Sequence, residues 1–105
     1  MISNGVDIIL NSRFKKLVAD EKFLKKVFHN NELIDRTKLI SIFALKEATM
    51  KAIGKKINWK DIEIKYNTQG KPLIHINKDI MDNFEISGSV SHDGDYTIAF
   101  VIIKR

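Results

Sequence analysis

Three sets of residues in this chain have the types and spacings that chemistry needs. Asp7 lies inside the apolar run Gly5-Val6-Asp7-Ile8-Ile9-Leu10. Period-two alternation there places Val6, Ile8 and Leu10 on one face and Asp7 with Ile9 on the other. An ionised carboxylate in such a run is costly unless it meets solvent, finds a partner or holds a cation. The second set is Lys46, Glu47 and Lys51. Wound as a helix at 100° per residue, the segment puts Leu39, Ile42, Phe43, Met50 and Ile53 on one stripe with Lys46 near its centre. A lysine there must either snorkel past its apolar neighbours or answer a buried anion. On the adjoining face lie Arg36, Glu47 and Lys51, the last two in the favourable i, i+4 order. Asp7 and Glu47 are together the kind of pair a hard cation such as Mg²⁺ uses, because it keeps its other positions for water and phosphate oxygens.

The third set is Ser89-Val90-Ser91-His92-Asp93-Gly94. Neighbours in sequence do not make a hydrolytic triad, which needs residues brought together in space, and no Gly-x-Ser-x-Gly elbow is present. No Gly-x-x-x-x-Gly-Lys phosphate loop occurs, and His29, His75 and His92 stand too far apart in sequence to suggest a zinc site.

The elements that must position these residues read as one α+β unit. The opening run is a strand. Ser12 is placed to cap a helix to about Ala19 with Phe14, Leu17 and Val18 inward. Asp20 is placed to cap a second, with Phe23, Leu24, Val27 and Phe28 inward and Lys22, Lys25, Lys26 and His29 opposite. Asp35 caps the longest helix, which runs to about Ile53, and Gly54 ends it. Trp59 to Tyr66 alternates as a strand, Asn67-Thr68-Gln69-Gly70 turns, and Leu73 to Asn77 returns. Glu85 to His92 and Tyr96 to Ile103 form two more strands across Asp93-Gly94. Helices early and hairpins late predict an antiparallel sheet packed against a long central helix.

The 105 residues allow a single domain spanning 1–105. Apolar residues at 44% and charged residues at 30% describe a chain that folds. The absence of cysteine excludes disulfides, thiolate metal sites and cysteine nucleophiles. The apolar run Ile98 to Ile103 is far shorter than the roughly 18 residues of a spanning helix, and no signal-peptide pattern opens the chain. Cytoplasmic residence with no membrane partner is therefore expected. A net charge of +5 draws anionic partners without choosing among them.

The ordered combination of Gly5-Val6-Asp7-Ile8, Phe43-Ala44-Leu45-Lys46-Glu47-Ala48, Lys51-Ala52-Ile53-Gly54, Gly70-Lys71-Pro72 and Ser89-Val90-Ser91-His92-Asp93 resembles the holo-acyl-carrier-protein synthases. These are the short members of the 4'-phosphopantetheinyl transferase superfamily. The resemblance implies that superfamily's fold. It also implies Mg²⁺-dependent transfer of the 4'-phosphopantetheine arm of coenzyme A to a serine of apo acyl carrier protein, with adenosine 3',5'-bisphosphate released.

By the same resemblance Asp7 and Glu47 are metal ligands, Lys51 and Gly54 approach the coenzyme A phosphates, Lys46 beside the metal glutamate either contacts coenzyme A or orients the site, and His92 lies near the nucleotide. Glu47, or a water activated by a carboxylate, takes the serine proton. Arg13 matches a carrier-docking residue, and periodicity adds Lys16, Lys22, Lys25 and Lys26 as docking candidates for an acidic carrier. The resemblance further implies a homotrimer with sites between subunits, for which Ile98 to Ile103 supplies an apolar surface. Ile42 stands where many relatives carry arginine.

A basic non-enzymatic module binding nucleic acid or an acidic protein is the competing reading. It explains the lysines but gives Asp7 and Glu47 no role, and Phe14, Phe23, Phe28 and Phe43 all turn inward rather than forming a base-stacking platform.

Overall fold

The computed structural model describes all residues, Met1–Arg105. Strand β1 (Ile2–Leu10) leads into helices α1 (Asn11–Val18) and α2 (Glu21–Val27), then the long helix α3 (Leu39–Ile53). Two hairpins follow, β2 (Ile62–Tyr66) with β3 (Pro72–Ile76), and β4 (Glu85–Asp93) with β5 (Tyr96–Lys104). The strands form two antiparallel sheets rather than one: β1-β5-β4 and β2-β3. The order of elements matches the expectation, with four local differences.

The first difference is at α1, where Leu10 rather than Ser12 occupies the cap position and offers no side-chain hydrogen bond. The first helical amide instead finds a distant partner, as Asn11 N donates to Asp95 O at 2.7 Å. In contrast, Asp20 caps α2 as expected, accepting from Lys22 N at 2.9 Å. The second is at α3, where Asp35 accepts from Thr37 N at 3.1 Å but caps a 3₁₀ turn, Arg36–Lys38, that runs into the helix. Gly54 closes α3 at φ 88°, its N–H donating to Met50 O at 2.9 Å, a left-handed conformation that glycine enters without a Cβ clash.

The third difference is Trp59–Asp61, which forms a 3₁₀ turn instead of the start of β2. Asp61 draws the chain into it by accepting from Asn58 N at 3.2 Å while its own N–H bonds to Asn58 O. The fourth is the last hairpin. Asp93 still pairs with Tyr96, so the two central residues are Gly94 and Asp95, with Gly94 at φ 56°.

Helix α3 is buried almost all round, not along one stripe. Ala44, Leu45, Ala48 and Ala52 are as inaccessible as Leu39 and Ile42, whereas Met50 and Ile53 are only half-buried. The sheet β1-β5-β4 packs on one side and β2 on another. Gly5 makes this approach possible, because a Cβ there would overlap the Ala48 carbonyl oxygen and sit 2.7 Å from Ala52 N.

The register fixes which face of the sheet is inside. Ile9, Thr97, Ala99, Val101 and Ile103 point to α3, and Asp7 points the same way. The more apolar face of β1 is the outer one: Val6, Ile8 and Leu10 lie exposed beside Tyr96, Ile98, Phe100 and Ile102 of β5. No helix is long and apolar enough to cross a membrane.

Candidate active site

Asp7 comes from the middle of β1 and Glu47 from the middle of α3, and the Gly5 contact lets the two elements meet there. Asp7 is 14% exposed, and its Oδ1 accepts from Lys51 Nζ at 3.3 Å. The same ammonium donates to Val6 O at 3.0 Å. It remains 55% exposed, so it is within reach of an incoming anion.

Glu47 is half-buried, and its carboxyl is held above the usual carboxylate range, first by loss of water and then by the charge of Asp7. Lys51, Lys56 and Arg13 act on Glu47 in the opposite direction. The cluster is thus two carboxylates facing three cations, one of them, Lys56, not singled out by motif.

The chemistry of these residues fits a divalent cation. Burial first and the charge of Asp7 second raise the proton affinity of Glu47, and a cation beside the two carboxylates would offset the part due to Asp7. No third His, Cys, Asp or Glu joins them. The donor set therefore suits a hard ion that keeps positions for water and phosphate, not a closed structural site.

Of the two roles open to Lys46, contact with coenzyme A and structural orientation, its surroundings favour the second. Its side chain is fully buried, and its Nζ donates to Val27 O at 2.7 Å, Glu32 Oε1 at 2.8 Å and Trp59 O at 3.4 Å. All three protons are committed, so it is a structural residue and not a ligand contact. Of the two alternatives for a lysine on that stripe, it answers a buried anion.

That anion, Glu32, sequence reasoning missed. It is 4% exposed, accepts from His29 N through Oε1 and from Ile64 N through Oε2, each at 2.8 Å, and so joins α2, α3 and β2 at one point. Its spacing of three residues after His29, half of a capping box, was the available signal. Burial lowers the proton affinity of Lys46, and Glu32 partly restores it.

Gly54 closes the C-terminal end of α3, seven residues or about 10 Å of helix rise beyond Glu47. Lys55 and Lys56 follow it and line a cleft with Asn58 and Asp61. His92 is exposed at the end of β4 and meets the other half of α3, its Nε2 lying 3.3 Å from Ser41 Oγ. Arg36 lies in the 3₁₀ turn beside Asn11 and Phe14, three turns from Glu47.

One chain therefore brings Asp7, Glu47, Lys51 and Arg13 together but not His92 with them. Arg13 and Lys16 are exposed on α1, and Lys22, Lys25 and Lys26 on α2. His29 falls past the end of α2, with Nε2 2.9 Å from Lys60 O. Five aromatic side chains are not available for stacking on bases: Phe14, Phe23, Phe28, Phe43 and Trp59 pack on one another, with centroids 5.2 to 6.3 Å apart.

A family pattern runs along nearly the whole chain. The model of the 4'-phosphopantetheinyl transferase superfamily matches residues 3–101, and the chain belongs to that superfamily, an enzyme of the phosphopantetheinyl transferase class. Its curated relatives narrow the class. It is 38% identical to the holo-[acyl-carrier-protein] synthase of Helicobacter pylori strain G27, over 95% of both chains. It is 35% identical to the synthase of that name from Halalkalibacterium halodurans, over 100% of this chain and 97% of the relative. Among solved structures, the Helicobacter pylori synthase in complex with coenzyme A superposes with a TM-score of 0.86 at 35% identity, over 99% of this chain and 100% of that one.

Proposed function

We propose that this chain is a holo-[acyl-carrier-protein] synthase that transfers the 4'-phosphopantetheine arm of coenzyme A to a serine hydroxyl of apo acyl carrier protein. The observation that carries the proposal is the Asp7 and Glu47 pair beside Lys51, in a chain whose similarity to named synthases runs end to end. The serine Oγ bonds to the β-phosphorus, the bond to the leaving phosphate oxygen breaks, and adenosine 3',5'-bisphosphate departs.

Asp7 and Glu47 would hold Mg²⁺, which when bound neutralises charge on the diphosphate. Lys51, exposed and loosely held on Asp7 and Val6 O, turns to the leaving phosphate and offsets its charge. Glu47, directly or through one water, accepts the serine proton. Arg13 and Lys16, then Lys22, Lys25 and Lys26, offer cationic surface to an acidic carrier. Nucleic acid and membranes have no part in this reading, and the cytoplasm, where carriers and coenzyme A meet, is the fitting compartment.

The test is intact mass of a generic apo acyl carrier protein after incubation with the enzyme, coenzyme A and Mg²⁺. The expected result is a gain of one phosphopantetheine that EDTA prevents. A folded sample that modifies none of several carriers would overturn the reading.

The outer sheet face supports a second element of the proposal, a homotrimer with sites between subunits. Seven large apolar side chains from β1 and β5 lie 38 to 57% exposed in adjacent rows, more than a monomer leaves bare without use. Only alternate residues of β5 take part, since Ala99, Val101 and Ile103 face the core. A second copy is the occupant that also explains why His92 lies apart from Asp7 and Glu47 in one chain. Sedimentation should give a trimer, and Phe100→Lys should shift it to monomers with loss of transfer. A wild-type monomer at working concentration would exclude the assembly.

A further inference from the structure

A pocket of about 270 Å³ opens between α1 and the start of α3, and none of its walls comes from Asp7, Glu47, Lys51 or the carrier-docking residues. Its floor is apolar: Phe14 and Val18 come from α1, Leu39 and Ile40 from α3. Phe14 and Leu39 are 5% and 2% exposed, and the Phe14 ring is held by Phe23 and Phe43 at centroid distances of 6.3 and 5.4 Å. The cavity is therefore preformed.

Its mouth is cationic. Lys15 from α1 and Arg36 from the 3₁₀ turn line it, both are exposed, and no carboxylate joins them. Neither takes part in the ion pairs of the chain, Lys46–Glu32 and Lys51–Asp7. Asp35, next to Arg36 in sequence, is committed elsewhere: its Oδ1 accepts from Thr37 N at 3.1 Å and from Thr37 Oγ1 at 2.5 Å. Two cations with no counter-charge thus stand over an apolar floor.

The complement to that arrangement is a short apolar chain ending in an anion. A neutral ligand would leave both cations unanswered, and a wholly polar anion would gain nothing from Phe14, Val18, Leu39 and Ile40. A carboxylate suits the guanidinium in particular, since its two oxygens match two parallel N–H groups. At roughly 30 Å³ for each methylene-sized unit, the pocket holds a chain of about eight carbons.

We propose that this pocket is a binding site for a medium-chain aliphatic carboxylate, with the head group between Lys15 and Arg36 and the chain over Phe14, Val18, Leu39 and Ile40. It is separate from the Asp7 and Glu47 pair and from the apolar outer face of β1 and β5, neither of which contributes a residue to it. Seating the ligand needs no metal, coenzyme A or second subunit.

The test is a ¹H–¹³C methyl titration of the full-length protein with octanoate at neutral pH and low salt, with 1-octanol and butyrate as comparisons. The expected result is a saturating shift of the Val18, Leu39 and Ile40 methyl signals with a Kd of about 1 mM or tighter. 1-Octanol should bind about tenfold more weakly, the effect of losing a charge-assisted hydrogen bond, and butyrate should not saturate. Lys15→Gln combined with Arg36→Gln, both at exposed positions, should lower octanoate to the affinity of the alcohol. Val18→Phe should fill the pocket and abolish the Leu39 and Ile40 shifts.

Octanol binding as tightly as octanoate would overturn the proposal and leave an apolar socket for a protein side chain instead. An octanoate preference that survives removal of both cations would overturn it as well, and this variant keeps the test decisive if Val18→Phe fails to fold. Shifts confined to Ile8, Ile98 and Ile102 would place the ligand on the outer sheet face and reject the pocket. No carrier or coenzyme A enters these measurements, so their outcome is independent of transfer activity.

Discussion

Glu47→Gln is expected to leave the fold intact and reduce transfer to acyl carrier protein by two to three orders of magnitude, about 3 to 4 kcal/mol of transition-state stabilisation. The amide is nearly the same shape, so the half-buried side chain still fits between α3 and β1. What it loses is charge. Glu47 is the carboxylate whose proton affinity is already raised by burial and by Asp7, so removing its charge relieves the native repulsion. Thermal stability should therefore hold or rise slightly while kcat collapses. Circular dichroism melts and carrier-modification rates, measured on the same preparation, separate the two quantities. Full activity in this variant would remove Glu47 from the site and take the metal assignment with it.

The neighbouring residue should behave in the opposite way. Lys46→Met is expected to cost about 3 to 5 kcal/mol of folding stability, because the carboxylate of Glu32 stays buried with no counter-charge. That is a large part of the 5 to 15 kcal/mol typical of a whole domain. Glu32→Ala should be as severe. It orphans the Lys46 ammonium and also the backbone N–H groups of His29 and Ile64, which have no other acceptor in this arrangement.

Combining Lys46→Met with Glu32→Leu, which often rescues a buried ion pair, should not restore stability here, since those two amides remain unpaired. Urea unfolding midpoints give the answer. A loss below about 1 kcal/mol in Lys46→Met would show that the pair is not sealed from water. Adjacent residues on one helix thus separate cleanly, Glu47 affecting rate and Lys46 affecting folding.

Local elements and their order were legible from the residues alone. Period-two runs gave β1, β4 and β5, Asp20 and Gly54 marked helix ends by their own backbone chemistry, and the carboxylate at Asp7 stood out because its neighbours are apolar. The ordered combination of motifs from Gly5 to Asp93 pointed to the family. These signals are local, or are read one residue at a time, and need no partner.

Tertiary structure decided whatever depends on a partner far along the chain. Periodicity told which residues of β1 share a face but not which face is inward. α3 settles that by packing on Gly5, and so turns Asp7 in and Val6, Ile8 and Leu10 out. The same holds for Lys46, for which snorkelling and burial are equally good helical positions until Glu32, 14 residues away on a loop, supplies the anion. It holds most for His92. Its ring is set by Thr97 and, through it, by Asn11, 86 residues before Thr97 in sequence. A hydrogen bond across that distance exists only because β1 and β5 lie side by side.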